Sequence, residues 1–317
     1  MTSADGEPQP AALHSSWRPG RPVAVHATLA TLRRGGGDPA YRLERDGTVW
    51  RTCRTPLGPA TLRLTSAPAD GEVRVTAWGA GAGWAVDAVP DLLGRRDDPD
   101  GFAPEHPVLR DAWRHAPGWR VPRTGLVIEA LVAAAIEQKV TGQEAFAGWR
   151  ALVLRFGEVA PGPGGELGMR VVPTAQQWAQ IPSWEWLRAG VDGARSATAV
   201  RAAQVAGRLE QTVDMEHSEA ERRLRSVAGV GVWTAAEVRQ RAHGDADAVS
   251  FGDYHQAKNI GWALTGSPVD DDGLAELLEP YRPHRYRVQR LLELAGATRP
   301  RRGPRMSPRT HLPRSTR

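Results

Sequence analysis

Leu224-Arg225-Ser226-Val227-Ala228-Gly229-Val230-Gly231-Val232-Trp233-Thr234-Ala235-Ala236 is the stretch on which the fold depends. An apolar helix end, a Gly-x-Gly turn and an immediate second helix bring several main-chain N–H groups to one point. Those N–H groups have no intrahelical acceptor, and the dipole of the second helix favours an anion beside them. The glycines admit positive φ and let a phosphodiester approach with no Cβ in the way. A bare Gly-x-Gly would also suit a plain pair of antiparallel helices. The flanking apolar residues, and Thr234 in the second helix, point instead to a hairpin that grips a DNA backbone through Gly229, Val230, Gly231 and Thr234.

Beyond the hairpin, Asp253 lies 22 positions past Gly231, in Ala248-Val249-Ser250-Phe251-Gly252-Asp253-Tyr254-His255. That run reads as a strand-like apolar approach followed by a helix start. An aspartate at a helix start is an ordinary N-cap. A carboxylate fixed at such a place can also stabilise a developing positive charge or act as a general base. The two roles can coexist.

The segment LRSVAGVGVWTAAEV, Leu224 to Val238, resembles the signature of the helix-hairpin-helix DNA glycosylase superfamily, which includes endonuclease III, 8-oxoguanine DNA glycosylase and 3-methyladenine DNA glycosylase II. The likeness covers about Thr124 to Gly296, and more loosely the segment before it. In that superfamily a catalytic aspartate lies about twenty residues past the hairpin, so the resemblance implies that Asp253 is the catalytic carboxylate of N-glycosidic cleavage, where a fixed anion stabilises the oxocarbenium-like C1′ and can orient or deprotonate the incoming water. Bifunctional relatives carry a nucleophilic lysine immediately before the threonine of the second hairpin helix. Here that position is Trp233, as in the 3-methyladenine glycosylase II branch, so the resemblance implies hydrolysis without lyase chemistry. An indole there can stack on an electron-poor alkylated purine or simply pack in the core.

Two residues depart from that branch. Glu237 stands where it has a pocket aromatic; it either faces the base or pairs with Arg225 or Arg241. Gln138-Lys139-Val140 aligns with the segment that fills the gap left by a flipped base, whose extrusion costs a few kcal/mol. Lys139 takes the place of an aliphatic wedge, so a wedge with its ammonium on phosphate and a solvated surface lysine both stand. Lys258, off the helical face of Asp253, reads as a contact to backbone phosphate or to solvent. Tyr254 and His255 read as structural.

Composition narrows the alternatives. Cys53 is the only cysteine of the 317 residues, which excludes an internal disulfide, a cysteine-ligated iron–sulfur cluster and a Cys-rich zinc site. No stretch approaches the roughly 20 apolar residues that span a bilayer, so a cytoplasmic location is expected; association with the nucleoid and a monomeric state are expected beside it. The net charge is +5, but Arg299 to Arg317 holds seven arginines and no acid, leaving 34 basic against 36 acidic residues before it. Any DNA site on the folded body must therefore be local. Lys139 and Lys258 are the only lysines.

Residues 1–20, rich in Pro, Ser and Ala, read as a disordered leader. Residues 21–96 alternate in hydropathy between turn signals, Asp46-Gly47 the strongest of them, and end in the helix-like AGWAVDAVPDLLG; VAVHATLATL within them reads as a strand. Residues 97–123 form a linker, with Asp97 to Gly101 exposed, and an entry helix. Residues 124–297 read as eight to ten helices, with boxes at Thr174-x-x-Gln177 and Ser218-x-x-Glu221 capping two of them and PGPGGELG as a loop. Residues 298–317 form a basic tail. The expected architecture is an α+β domain followed by an all-α glycosylase domain whose two helical subdomains flank a cleft.

The function this predicts is a monofunctional DNA N-glycosylase of base excision repair, acting on alkylated purines flipped from duplex DNA. The base pocket is expected at Trp233 and Glu237, and the DNA contacts at Gln138, Lys139, Lys258 and the hairpin. No cofactor is expected beyond a structural monovalent cation that the hairpin at Gly229–Gly231 could hold. A non-catalytic helix-hairpin-helix DNA-binding protein is the rival, and Trp233 argues against a lyase using Lys139 or Lys258.

Overall fold

The computed structural model describes residues 12–67 and 71–300. The start of the expected leader and the tail from residue 301 lie outside the described residues. Five antiparallel strands form one sheet in the order β1-β5-β4-β3-β2: β1 Leu13–Trp17, β2 Tyr41–Leu43, β3 Val49–Thr55, β4 Gly58–Ala67 and β5 Glu72–Trp78. Asp46-Gly47 makes the turn expected of it: Gly47 has φ +85°, and Asp46 Oδ1 accepts from Thr48 N at 2.9 Å. Two expectations fail here. Leu13–Trp17, inside the stretch read as a disordered leader, pairs with β5 from Leu13↔Ala77 to Trp17↔Val73. It is an exposed edge strand held by main-chain bonds, so no buried alternation announced it. Val25–Leu29, read as strand, is helical, and its apolar Val25, Leu29 and Leu32 also fit the helical spacing i, i+4, i+7.

Alternate residues of β3 serve opposite faces of the sheet. Val49 and Cys53 pack with Leu62, Leu64 and Val75 under the helix Ala82–Leu92, which turns Ala82, Ala85, Val89 and Leu92 inward. Trp50 stacks on Trp78 at 5.6 Å and meets Ala160, Met169 and Val171. Those three come from a small ribbon, Glu158–Val159 against Arg170–Val171. PGPGGELG, expected as a loop, contains the short helix Pro163–Glu166 that closes this ribbon.

Within residues 124–297 the described residues form twelve α-helical segments, more than the eight to ten expected, because several are single turns, and the helix Pro107–His115 precedes them. The stretch after Asp192 forms two helices, Gly193–Gln204 and Ala206–Glu210, broken at Val205. Thr174 and Gln177 form their capping box. The Ser218 box does not form: the helix starts at His217 with no side-chain cap, and Glu221 pairs instead with Arg225 and Arg239.

The apolar core of this helical part divides in two. One cluster surrounds the helix Val127–Glu137, buried on nearly every side, and takes in Trp149, Trp178, Trp186, Leu224, Val230 and Val238. The other joins the helices Pro107–His115, Gln256–Thr265, Asp271–Leu278 and Arg285–Leu294. Asp97, expected in an exposed linker, belongs to this second body. Its carboxylate meets Arg287 at 2.6 and 3.0 Å, and the Arg287 side chain is wholly buried. A guanidinium removed from water needs such a counter-charge, which decides where the chain must run.

Candidate carboxylate and nucleic-acid site

The hairpin forms where the sequence placed it, between the helices His217–Arg225 and Val232–Val238. Val227 N bonds Leu224 O and Val230 N bonds Val227 O, so the turn is tight and Val230 plugs into the first core cluster. Gly229 has φ +98°, and a Cβ there would collide with the Thr198 hydroxyl. Gly231 is different: its backbone is extended, with φ −92° and ψ −175°, and the space where its Cβ would stand is open. Only Gly229 thus needs glycine's conformational freedom, whereas Gly231 leaves the approach to the second helix clear. No side chain caps that helix, so its first N–H groups face outward beside two exposed glycines.

Val230 and Thr234, expected among the DNA contacts, turn their side chains inward. They can meet a phosphate only through their main chain. Thr234 Oγ1 accepts from Gln138 Nε2 at 2.8 Å, and the same Nε2 donates to Gly229 O at 2.9 Å. Gln138 therefore ties the loop after Val127–Glu137 to the hairpin. Immediately after it, Lys139 is exposed and is the one non-glycine among the described residues with positive φ, +52°. The next helix, Gly142–Phe156, begins with a Thr141–Glu144 capping box that holds the far side of this tip. A left-handed lysine, clamped on both sides and aimed outward beside the hairpin, is costly backbone that the fold maintains.

Asp253 enters from the other core cluster. Val249 and Phe251 before it, and Ala257 after it, pack there, whereas Trp233 packs against the first cluster. The approach read as a strand is a pair of turns, with Asp253 N bonded to Ser250 O at 3.2 Å. Asp253 Oδ1 accepts from His255 N at 2.8 Å and Gln256 N at 3.1 Å, at the start of the helix Gln256–Thr265. Oδ2 accepts from Trp233 Nε1 at 3.2 Å. One oxygen thus caps a helix, and the other is held by an indole across the junction of the two clusters. The carboxylate is half-buried.

No protein-family model matches the chain. A protein of Mycobacterium tuberculosis described as a probable bifunctional transcriptional activator/DNA repair enzyme AlkA is 30% identical over 265 residues, which are 78% of this chain. The chain spans about half the length of that relative, 50% of which the match covers. Among solved structures, a 3-methyladenine DNA-glycosylase from Archaeoglobus fulgidus superposes with a TM-score of 0.72 at 16% identity, over 89% of this chain and 98% of that one. An 8-oxoguanine glycosylase/lyase from Clostridium acetobutylicum gives 0.67 at 12% identity, over 91% and 98%. The chain has the fold of the helix-hairpin-helix DNA glycosylases.

Within this glycosylase fold, Glu237 lies one turn past Trp233 and is buried. Its Oε2 accepts from Arg241 Nη1 at 2.7 Å and its Oε1 from Ser250 Oγ at 2.6 Å. Both oxygens are thus engaged, one of them with an arginine the sequence offered as partner. Ser250 also accepts from Gln240 Nε2 at 2.8 Å. Arg241 and Gln240 belong to a π-helical segment, Arg239–His243, that extends the second hairpin helix. This network joins the hairpin to the turn that carries Asp253. Ser250 and Gln240 were not singled out from the sequence, and no spacing rule would have found them.

Lys258 Nζ lies 4.0 Å from the centre of the Tyr254 ring, which is 75% exposed. Of the hairpin carbonyls, Gly229 O accepts from Gln138 and Ala228 O from Arg201. Among the described residues, no group of three or more His, Cys, Asp or Glu side chains is arranged to hold a metal ion. No helix among them is long and apolar enough to cross a membrane.

Proposed function

We propose that the chain is a monofunctional DNA glycosylase that hydrolyses the N-glycosidic bond of alkylated purines extruded from duplex DNA. The observation that carries this reading is the bond from Trp233 Nε1 to Asp253 Oδ2 at 3.2 Å, beside the hairpin and between the two core clusters. We take those clusters as the two subdomains, and the junction where Trp233 meets Asp253 as the floor of the cleft that receives the base. A helix cap needs only Oδ1, so the tethering of Oδ2 answers to something more. A carboxylate held at both oxygens keeps its orientation as positive charge develops at C1′, which is how preorganised electrostatics lowers a barrier.

In the reaction the C1′–N bond breaks and the base leaves with the electron pair. A water oxygen bonds C1′, and its proton passes to the Asp253 carboxylate and on to solvent. A purine methylated on a ring nitrogen is already cationic, so it departs neutral without a general acid. The Trp233 ring supplies a stacking face for it. An indole has no amine with which to attack the sugar, so the abasic product stays uncleaved.

The test is incubation of the pure protein with methylated duplex DNA in the presence of borohydride, followed by denaturing electrophoresis with and without hot alkali. Strand breaks only after alkali, and no covalent protein–DNA adduct, are expected. A trapped adduct would overturn the monofunctional assignment.

A further inference from the structure

The hairpin opens on one side into a groove that the site above does not use. Its walls are the C-terminal part of Gly193–Gln204, the helix Ala206–Glu210 and the end of His217–Arg225; its head is the hairpin turn at Ser226 to Ala228. Arg201, Arg208 and Arg223 line it together with Gln204, Gln211 and Ser226, and its lining contains no carboxylate. None of the three guanidiniums forms an ion pair among the described residues. Arg201 donates to Ala228 O at 3.1 Å, on the hairpin turn itself, and Arg223 to the neutral Gln211 Oε1 at 3.4 Å. Arg208 is exposed. In a chain whose basic and acidic residues nearly cancel before Arg299, three uncompensated cations facing one groove make a local positive field.

We propose that this groove is a phosphate track, in which Arg201, Arg208 and Arg223 carry the DNA strand onward from the hairpin. The inference rests on the reading that the hairpin binds DNA backbone. A strand anchored at the turn advances only about 3.4 Å of rise per phosphate, so it delivers several phosphates along a groove that begins at that turn. The guanidinium fork matches phosphate oxygens, and glutamine and serine side chains complete such contacts without reading sequence. The track therefore adds affinity for any duplex, damaged or not.

The experiment uses the full chain, so that the arginines beyond residue 300 contribute equally to every variant. Binding to an undamaged duplex is measured over a salt series for wild type, Arg208→Gln, Arg223→Gln and the double variant, with Arg114→Gln on the helix Pro107–His115 as the control. Each lost phosphate contact should make the log–log salt slope shallower by about 0.9, so the double variant should lose about 1.8 while the control keeps the wild-type slope. Wild-type binding with an unchanged slope in the double variant overturns the track and leaves the hairpin reading intact. An equal loss in the control also overturns it, because the effect would then be one of net charge. A wild type that binds no duplex overturns the hairpin reading, and the track with it.

Discussion

In the proposed function Asp253 has two jobs for its two oxygens, capping a helix and serving the chemistry, and a single substitution can separate them. Trp233→Phe keeps the ring that packs against the first core cluster but removes the N–H that reaches Oδ2. A hydrogen bond to a charged group contributes about 1.5–3 kcal/mol, so the single-turnover excision rate should fall about tenfold or more. The thermal midpoint should hardly move, since the Oδ1 cap remains; an unchanged rate would mean that the indole does not orient the carboxylate. Lys139 offers a test of strain. At φ +52° a glycine is easier to accommodate than any L side chain. Lys139→Gly should therefore raise stability by up to about 1 kcal/mol in urea, and Lys139→Ala should not; equal stabilities would show that the tip is unstrained. Asp253 and Trp233 stood out in the sequence by their offset from the hairpin, and Lys139 by the likeness of Gln138-Lys139-Val140 to a gap-filling segment. Their hydrogen bonds did not, because Trp233 and Asp253 meet only when two separately packed bodies come together.

The hairpin and the loop that carries Lys139 are held together by a few polar contacts. Gln138 makes two of these with one Nε2, so Gln138→Ala should cost about 1–2 kcal/mol of stability and weaken binding to an abasic-site duplex; wild-type behaviour on both counts would contradict the clamp. The other end of the hairpin closes through His217 and Asp245, 3.3 Å apart, with Arg239 also on Asp245. The Asp245 hydrogen bond raises the His217 imidazole above its usual 6.5. Burial would raise the Asp245 carboxyl, but the His217 bond and the Arg239 charge hold it below the ordinary carboxylate range.

The sign for a raised histidine is that its contribution is full below the unfolded value and is lost as pH rises through the folded one. The thermal midpoint should therefore decline as pH climbs past about 6.5, and His217→Gln should remove that part of the decline. A His217→Gln profile that parallels wild type would refute it. At this scale the sequence was legible wherever a pattern repeats: the hairpin, the Thr174 box and the Asp46-Gly47 turn. The Ser218 box failed because the helix begins two residues earlier than that cap requires and Glu221 has two arginines to satisfy.

Across the whole molecule, buried ion pairs join segments that are distant in sequence. Arg51 of β3 meets Glu129 at 2.5 Å and Arg34, in the loop before β2, meets Glu137 at 2.7 Å, fastening the sheet and that loop to the central helix. Arg287 meets Asp97 inside the second cluster, its guanidinium 5.8 Å from the Phe102 ring centre. Removing one partner of such a pair leaves a buried charge uncompensated, at about 3–5 kcal/mol. Asp97→Ala should show that loss in equilibrium unfolding, and the double variant Asp97→Ala with Arg287→Met should recover much of it. A double variant no better than the single would mean the pair is not what binds the segment. Composition marked Asp97 only as one of several clustered acids, and nothing local says which of them meets an arginine 190 residues on. The α+β unit followed by a helical unit was legible from the change of hydropathy period, whereas the edge strand β1 was not, having almost no buried side to pattern.

The most direct measurement is the release of free base from methylated duplex DNA, without added metal, by wild type and by Asp253→Asn. That substitution keeps the shape and an acceptor oxygen while removing the charge. The wild type is expected to release methylated purines. Asp253→Asn is expected to release none above background while binding an abasic-site duplex within a few-fold of wild type. Turnover by Asp253→Asn close to that of wild type, or no release by the wild type itself, would contradict the account.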